Sequence, residues 1–167
     1  RRTTRVDDAG GLVPLEEQDR HRWDRSRIDR GLQRLRLAAG STGPYLPQAV
    51  IAAAHATARS WEQTDWRTIC AAYDRLQGLA DSPVVAVNRA VAVGFRDGPD
   101  AGLAALAQVA DDPRLARSNL VPSVRADLLR RAGRRGEAVD WYRIALASNG
   151  SAPSHAFLRR RIAECGG

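Results

Sequence analysis

Apolar residues return at intervals of three and four along most of this chain. No segment alternates with the period of two that a half-buried strand requires. In DRSRIDRGLQRLRLAAG, Ile28, Leu32, Leu35 and Ala39 follow one another at helical spacing. Arg27, Arg30 and Arg34 fall on the opposite side, Asp24 is placed to cap the helix, and Gly40 is placed to stop it. STGPYLPQAVIAAAHATARSW predicts a second helix, entered near Pro44. Pro47 is tolerable in its first turn, and its alanines permit close approach of a neighbour. Asp65 predicts the start of a third helix, with Trp66, Ile69, Cys70, Tyr73 and Leu76 on one face. Ser82 and Pro83 predict the start of a fourth, with Val84, Val87, Val91 and Phe95 on its inner face. Pro99 opens a short partner bearing Leu103 and Leu106, and DDPRLARSN reads as a connection. Three more helices follow: Pro122 to Ala132, GEAVDWYRIALASNG after a turn at Gly133 and Gly136, and APSHAFLRRRIAECGG at the close.

The helices repeat. RADLLRRAGRRGEAVDWYRIALA carries Ala126 on one helix and Ala138, Tyr142 and Ala145 on the next. Sliding back about 36 residues meets Ala90, Gly102, Leu106 and Val109, and a weaker copy begins near Ala52. Small residues at such positions let paired helices approach, and an aromatic ring fills the space between units. The expected fold is all-α: a right-handed array of antiparallel helical hairpins, tetratricopeptide-repeat-like. Residues 1–17, with Gly10, Gly11 and Pro14 and little periodicity, read as a linker that docks through Leu12, Val13 and Leu15. Residues 18–167 read as the helical domain, opening on a short turn in EQDRHRW.

Composition narrows the function. The chain has 167 residues, 44% hydrophobic and 27% charged, with a net charge of +7 carried by arginine alone. Such a surface attracts acidic partners, nucleic acid among them. Arg25, Arg27, Arg30, Arg34 and Arg36 cluster on one helix and Arg159 to Arg161 near the end. No helix-turn-helix and no aromatic-basic interleaving accompanies them, so weak, salt-sensitive backbone contact is the most that DNA is expected to make here. The two cysteines, Cys70 and Cys165, are far apart and at no metal-binding spacing, which fits a reducing cytoplasm with Cys70 packed as a small hydrophobe. No apolar run reaches the roughly 18 residues of a spanning helix, so no membrane contact is expected. Methionine is absent even at the start, so the chain is expected to be part of a longer product.

Catalysis finds no foothold in the sequence. His21, His55 and His155 lie beside no nucleophile motif, and His55 within AAAHATA reads as a packed or rim histidine. There is no CxxC, no HExxH, no acidic calcium loop and no phosphate-cradling glycine run, so neither a cofactor nor a metal is expected. The polar residues that interrupt apolar faces are more informative. Asn88 lies four residues after Val84 and three before Val91. A buried amide left unpaired costs about 1–3 kcal/mol. Asn88 therefore needs a partner, such as the backbone of SWEQTDW, and Arg89 needs a carboxylate, such as Asp65 or Asp81. Thr64, Asp65, Trp66, Asn88 and Arg89 are expected to form a polar clamp that fixes how two hairpins dock. The alternative is a small-ligand sensor, with Tyr45, His55, Trp66 and Asn88 lining a pocket between hairpins.

EEQDRHRWD, GPYLPQAVIAAAHA, TDWRTICAAYDRL, SPVVAVNRAVAV and RADLLRRAGRRGEAVDWYRIALA occur in that order, from about Val6 to Ala163. Together they resemble the C-terminal extension of one group of extracytoplasmic-function (ECF) RNA polymerase sigma factors, a tetratricopeptide-like domain appended to the polymerase- and DNA-binding regions. The chain departs from the family at Pro47, where leucine is usual before the glutamine matched by Gln48. The resemblance implies a parent protein that directs RNA polymerase to promoters, and a module that lacks the regions binding polymerase and reading the −10 and −35 elements. It implies a regulatory and interaction role, in place of a separate anti-sigma factor. The implied partners are the sigma core of the same polypeptide, RNA polymerase or a regulatory protein, with promoter DNA reached only through the missing regions. Asp19, Arg20 and Trp23 would lie near the junction and couple the extension to the core, with Tyr45, Gln48 and His55 as further interaction candidates.

Overall fold

A computed structural model describes residues 13–166. Eight α-helices account for most of them, and no strand occurs among the described residues beyond an isolated bridge between Ser118 and Asn149. The helices are α1 (Arg25–Leu37), α2 (Tyr45–Thr57), α3 (Trp66–Leu79), α4 (Pro83–Arg96), α5 (Pro99–Ala107), α6 (Leu120–Arg131), α7 (Arg135–Ala147) and α8 (Ala152–Glu164). The chain is all-α, as the periodicity predicts. Leu12 and the segment before it lie outside the described residues; Val13 and Leu15 enter a single turn of 3-10 helix, Leu15–Glu17, and are half-buried.

The described residues divide into two compact units, Val13–Asp81 and those from Ser82 onward. In the first, α1 packs on α2 and α2 on α3. Each start has a local cause. The Asp24 carboxylate accepts the Arg27 N–H at 3.0 Å, and Asp65 accepts the Thr68 N–H at 3.0 Å, each satisfying a donor that the helix itself leaves unpaired. Pro47 sits in the first turn of α2 without breaking it and is fully buried beside Leu46. The face predicted for α3 holds: Ile69, Cys70 and Leu76 are buried, joined by Ala72.

In the second unit α4 packs on α5 and α6, α5 on α6, α6 on α7, and α7 on α8. Its core follows the spacing read from sequence. Ala90, Leu106, Ala126, Ala138, Tyr142 and Ala145 are all buried, as is Gly102. One cluster joins Val87, Ala90, Leu106, Leu115, Val121 and Leu128, and another joins Ala126, Leu129, Ala138, Tyr142, Ala145 and Leu158. The α6–α7 turn closes on Gly133 at φ +78°, with Arg134 N–H bonded to Leu129 C=O and Gly133 N–H to Arg130 C=O. That pair of bonds uses two carbonyls the helix end leaves open, and the left-handed backbone suits glycine.

Three expectations need correction. The inner face of α4 is not Val84, Val87, Val91 and Phe95: Val84 is 46% exposed, while Val87, Ala90, Val93 and Gly94 are buried. The larger valines set the hydrophobic pattern, but the approach of α5 selects the smallest side chains. Ala39, placed on the apolar side of α1, is exposed. DDPRLARSN is more than a connection. Asp112 caps a turn of 3-10 helix, Pro113–Leu115, whose Leu115 joins the core.

Where α4 meets α5, a Cβ on Gly102 would stand 2.8 Å from the Gly94 Cα and 3.1 Å from the Ala90 carbonyl oxygen, with a Leu128 methyl also 2.8 Å away. Two of those neighbours are backbone and cannot rotate aside. Gly102→Ala is therefore expected to destabilise the fold by about 1–3 kcal/mol, the usual range for overpacking. Gly136→Ala, in open space within the first turn of α7, is expected to stabilise it by about 0.5–1 kcal/mol. Urea unfolding midpoints followed by circular dichroism check both.

Candidate functional site

The sequence candidates that the structure brings together lie in one corner of the first unit, around the C-terminal end of α2. Asp19 opens a 3-10 turn, Arg20–Arg22, by accepting the His21 N–H at 2.9 Å. The turn drives Arg20 inward until the residue is only 7% exposed. Its guanidinium nitrogen Nη1 donates to the backbone carbonyl of His55 and, at 3.0 Å, to that of Ala58. Both lie at the end of α2, where carbonyls lack partners within the helix and the dipole favours a cation. The guanidinium carbon lies 4.9 Å from the ring centre of buried Trp23. One arginine thus binds a turn, an indole and a helix end.

A ring cluster continues the corner. His55 stacks on Trp61, with centroids 5.7 Å apart and planes 9° from parallel. Trp66 meets His55 edge-on at 5.4 Å and Trp61 at 4.9 Å. These are favoured geometries for rings with a negative face and a positive edge. Thr64 is buried and its hydroxyl donates to the Ser60 carbonyl at 3.5 Å. Asp65 is exposed; it accepts the Thr68 N–H and also the Thr68 hydroxyl at 2.7 Å.

The charges follow from these contacts. Burial pulls the Arg20 pKa down from its ordinary value, an effect the nearby Glu62 carboxylate opposes. Hydrogen bonds from the Thr68 backbone and hydroxyl hold the Asp65 carboxyl below the usual range. The Ser26 hydroxyl and the Arg27 N–H do the same for Asp24.

The remaining candidates are elsewhere. Tyr45, 82% exposed, and Gln48, also exposed, lie in the first turn of α2. Ten residues of helix separate Tyr45 from His55, about 15 Å at the α-helical rise. Asn88 and Arg89 lie midway along α4 in the second unit. Asn88 is half-buried, which weakens the desolvation argument for its partner. Among the described residues, no group of three or more His, Cys, Asp or Glu side chains is disposed to hold a metal ion, and no helix is long and apolar enough to cross a membrane.

Sequence reasoning missed two features. Trp61 lies in SWEQTDW, which was read only for its backbone, yet it completes the ring cluster. Beyond that corner, α1 and α2 leave an apolar trough along their junction. Hollows of about 260 and 350 Å³ share Gly31, Leu35 and Ala49. The alanine spacing of α2 and the apolar stripe of α1 were the signals for it.

Replacing Arg20 strips two carbonyls of their charged donor and leaves a gap beside Trp23. Arg20→Ala is expected to cost about 2–3 kcal/mol, the scale of hydrogen bonds to a charged group, read from the unfolding midpoint and tryptophan emission. Acid should act on the carboxylate caps. A native pKa below the unfolded one gives stability that is present above about pH 4, the unfolded aspartate value, and is lost as pH falls through the lower native value. The stability difference between wild type and Asp65→Asn should therefore narrow as pH is taken from 6 to 2.

The model of one protein family, described as a family of unknown function (DUF6596), matches residues 1–39. That stretch includes the Arg20 turn and the whole of α1. An uncharacterized protein of Rhizobium meliloti (strain 1021), R00370, is 40% identical over 164 residues. The alignment covers 97% of this chain and 38% of that protein, so the chain spans less than half the length of the relative it matches. No solved structure matches the chain.

Proposed function

We propose that this chain is a tetratricopeptide-like regulatory and protein-interaction module, the C-terminal extension of an ECF sigma factor. In this reading the regions that bind RNA polymerase and read promoters lie elsewhere in the same cytoplasmic protein. The module controls transcription initiation through contacts with the sigma core, the polymerase or a regulatory protein, and it makes and breaks no bonds itself.

The observation that carries the reading is the repeat. Ala90 and Ala126, Gly102 and Ala138, and Leu106 and Tyr142 are each 36 residues apart in sequence, and all six are buried in two successive helix pairs, α4–α5 and α6–α7. Stacked pairs meeting through small side chains are the packing of helical-repeat proteins, which present extended surfaces to partners. The five ordered motifs supply the sigma-factor part of the reading. A matched relative that extends well beyond the aligned part is in keeping with a module joined to other regions.

Within this picture the Arg20 corner is a brace. Asp19, Arg20 and Trp23 couple the incoming chain to α2 because the guanidinium ties both to one helix end. The small-ligand alternative gains less from the geometry: Tyr45 and His55 stand at opposite ends of α2.

The test compares the full-length parent protein with one cut before this segment, in promoter-directed transcription with purified polymerase. Removal is expected to change the level or the regulation of transcription. Unaltered transcription under both conditions overturns the reading.

A further inference from the structure

We propose that the trough between α1 and α2 is a docking groove for an acidic amphipathic helix of a protein partner. This deepens the interaction role proposed above and rests on it only in taking the chain to act by protein contact.

The first observation is that α1 is incompletely covered. None of its thirteen residues is buried. Ile28, Leu32 and Leu35, its apolar stripe, are only half-buried, and Leu37 is 89% exposed. Thirteen residues of helix are marginal in water without a packed face. An occupant along α1 would complete the burial that this helix begins.

The second observation is the shape and lining of the trough. The hollow of about 260 Å³ lies against Ile28, Leu32, Ala53 and Ala56, and the one of about 350 Å³ ends at Leu46 and Tyr45. They share three residues and so run on from one another along the hairpin. Their length is comparable to that of α1, about 20 Å at the helical rise, enough for three to four turns of a bound helix. The floor is alanine and glycine and the wall is branched aliphatic, the relief that accepts side chains at i, i+3, i+4 and i+7. A small-molecule site would need convergent polar groups to orient its ligand, and the lining offers only the arginines, Ser41 and the Tyr45 phenol as polar side chains.

Charge selects the occupant. α1 carries Arg25, Arg27, Arg30, Arg34 and Arg36 against Asp29 alone, and α2 carries no carboxylate. Arg27 and Arg34 line the trough itself. The pair that Arg27 makes with Asp24, 3.1 Å long, is exposed on both sides. Exposed pairs are worth at most about 1 kcal/mol, so this one re-pairs cheaply. An apolar trough with arginines along its α1 side is complementary to a helix whose apolar ridge is bordered by Asp and Glu. A second copy of this chain would set one arginine stripe against another. Nucleic acid would satisfy the arginines but leave the floor uncovered.

The probes are four fluorescein-labelled 18-residue peptides with leucine ridges in different helical registers flanked by glutamate. Each is paired with a lysine-flanked and a scrambled control. Anisotropy is measured with the full chain at 50 and 500 mM NaCl. At least one acidic peptide should bind tenfold or more tightly than both of its controls. Ala49→Trp, which fills the trough from an exposed position shared by both hollows, should weaken it at least tenfold, as should the exposed Arg34→Glu. Circular dichroism of each variant should match wild type. Three results overturn the proposal: no acidic peptide surpasses its scrambled control, binding is indifferent to Ala49→Trp, or a DNA duplex or a second copy of the chain competes equally well. The transcription comparison reads a different quantity. A failed groove with altered transcription leaves the module reading standing, and a bound peptide with unaltered transcription does the reverse.

Discussion

Helix backbones can come together only where side chains are nearly absent, and the second unit depends on that condition. α4 and α5 cross at Gly94 and Gly102 with a Leu128 methyl of α6 lying in the same notch. Ala90, Ala126, Ala138 and Ala145 leave similar room along the other seams. The space saved there lets larger groups fill the gaps between helix pairs. Leu106 and Leu128 do so in one cluster, Tyr142 and Leu158 in the other. Tyr142 can be buried because its hydroxyl donates to Asp127 at 3.4 Å, and Arg130 holds the same carboxylate at 2.7 Å. Burial pushes the Tyr142 phenol well above its ordinary pKa, so the ring stays neutral at any physiological pH. For Arg130, burial works against the charge, but the Asp127 carboxylate more than offsets it.

The first unit is built on a different principle. Its turn of Arg20–Arg22 and the end of α2 are held by one guanidinium and a stack of rings rather than by interlocking small residues. An arginine suits that task because its planar fork offers several donors in fixed directions while its face rests on an indole. Lysine would keep the charge but lose the fork. Exposed charge does less. The pairs Arg27 with Asp24 and Arg134 with Glu137 are exposed, and exposed pairs contribute little.

Local features were legible in the sequence because their causes are local. Asp24, Asp65 and Ser82 each cap the helix that the spacing predicts, since a cap is decided within three residues. The 36-residue spacing picked out Ala90, Leu106, Ala126, Ala138, Tyr142 and Ala145, all of them buried, and Val109, which is only partly so. What failed was long-range or depended on size rather than polarity. Val84 is as apolar as Val87, and only the direction from which α5 approaches separates them. Arg20 looks like any of the solvated arginines. Its partners lie 35 and 38 residues onward, beyond any pattern in a helical window. The trough is a property of two helices together, and neither amphipathic stripe alone states that it will remain half-covered.

The two principles bear differently on function. A seam of glycine and alanine cannot yield: added volume must displace backbone, so the second unit is suited to hold a fixed surface. α1 lies at the other extreme. It has a good N-cap and an apolar stripe, but none of its residues reaches full burial. Its stability must come from a few half-covered contacts with α2, which places it among the segments that open locally at low cost. A helix so placed can respond to a partner, because burying its stripe returns free energy that the isolated chain forgoes. Rigidity in α4 to α7 and incompleteness in α1 are therefore complementary properties. Within α4 to α7 added volume has nowhere to go, whereas along α1 the apolar stripe can still be covered.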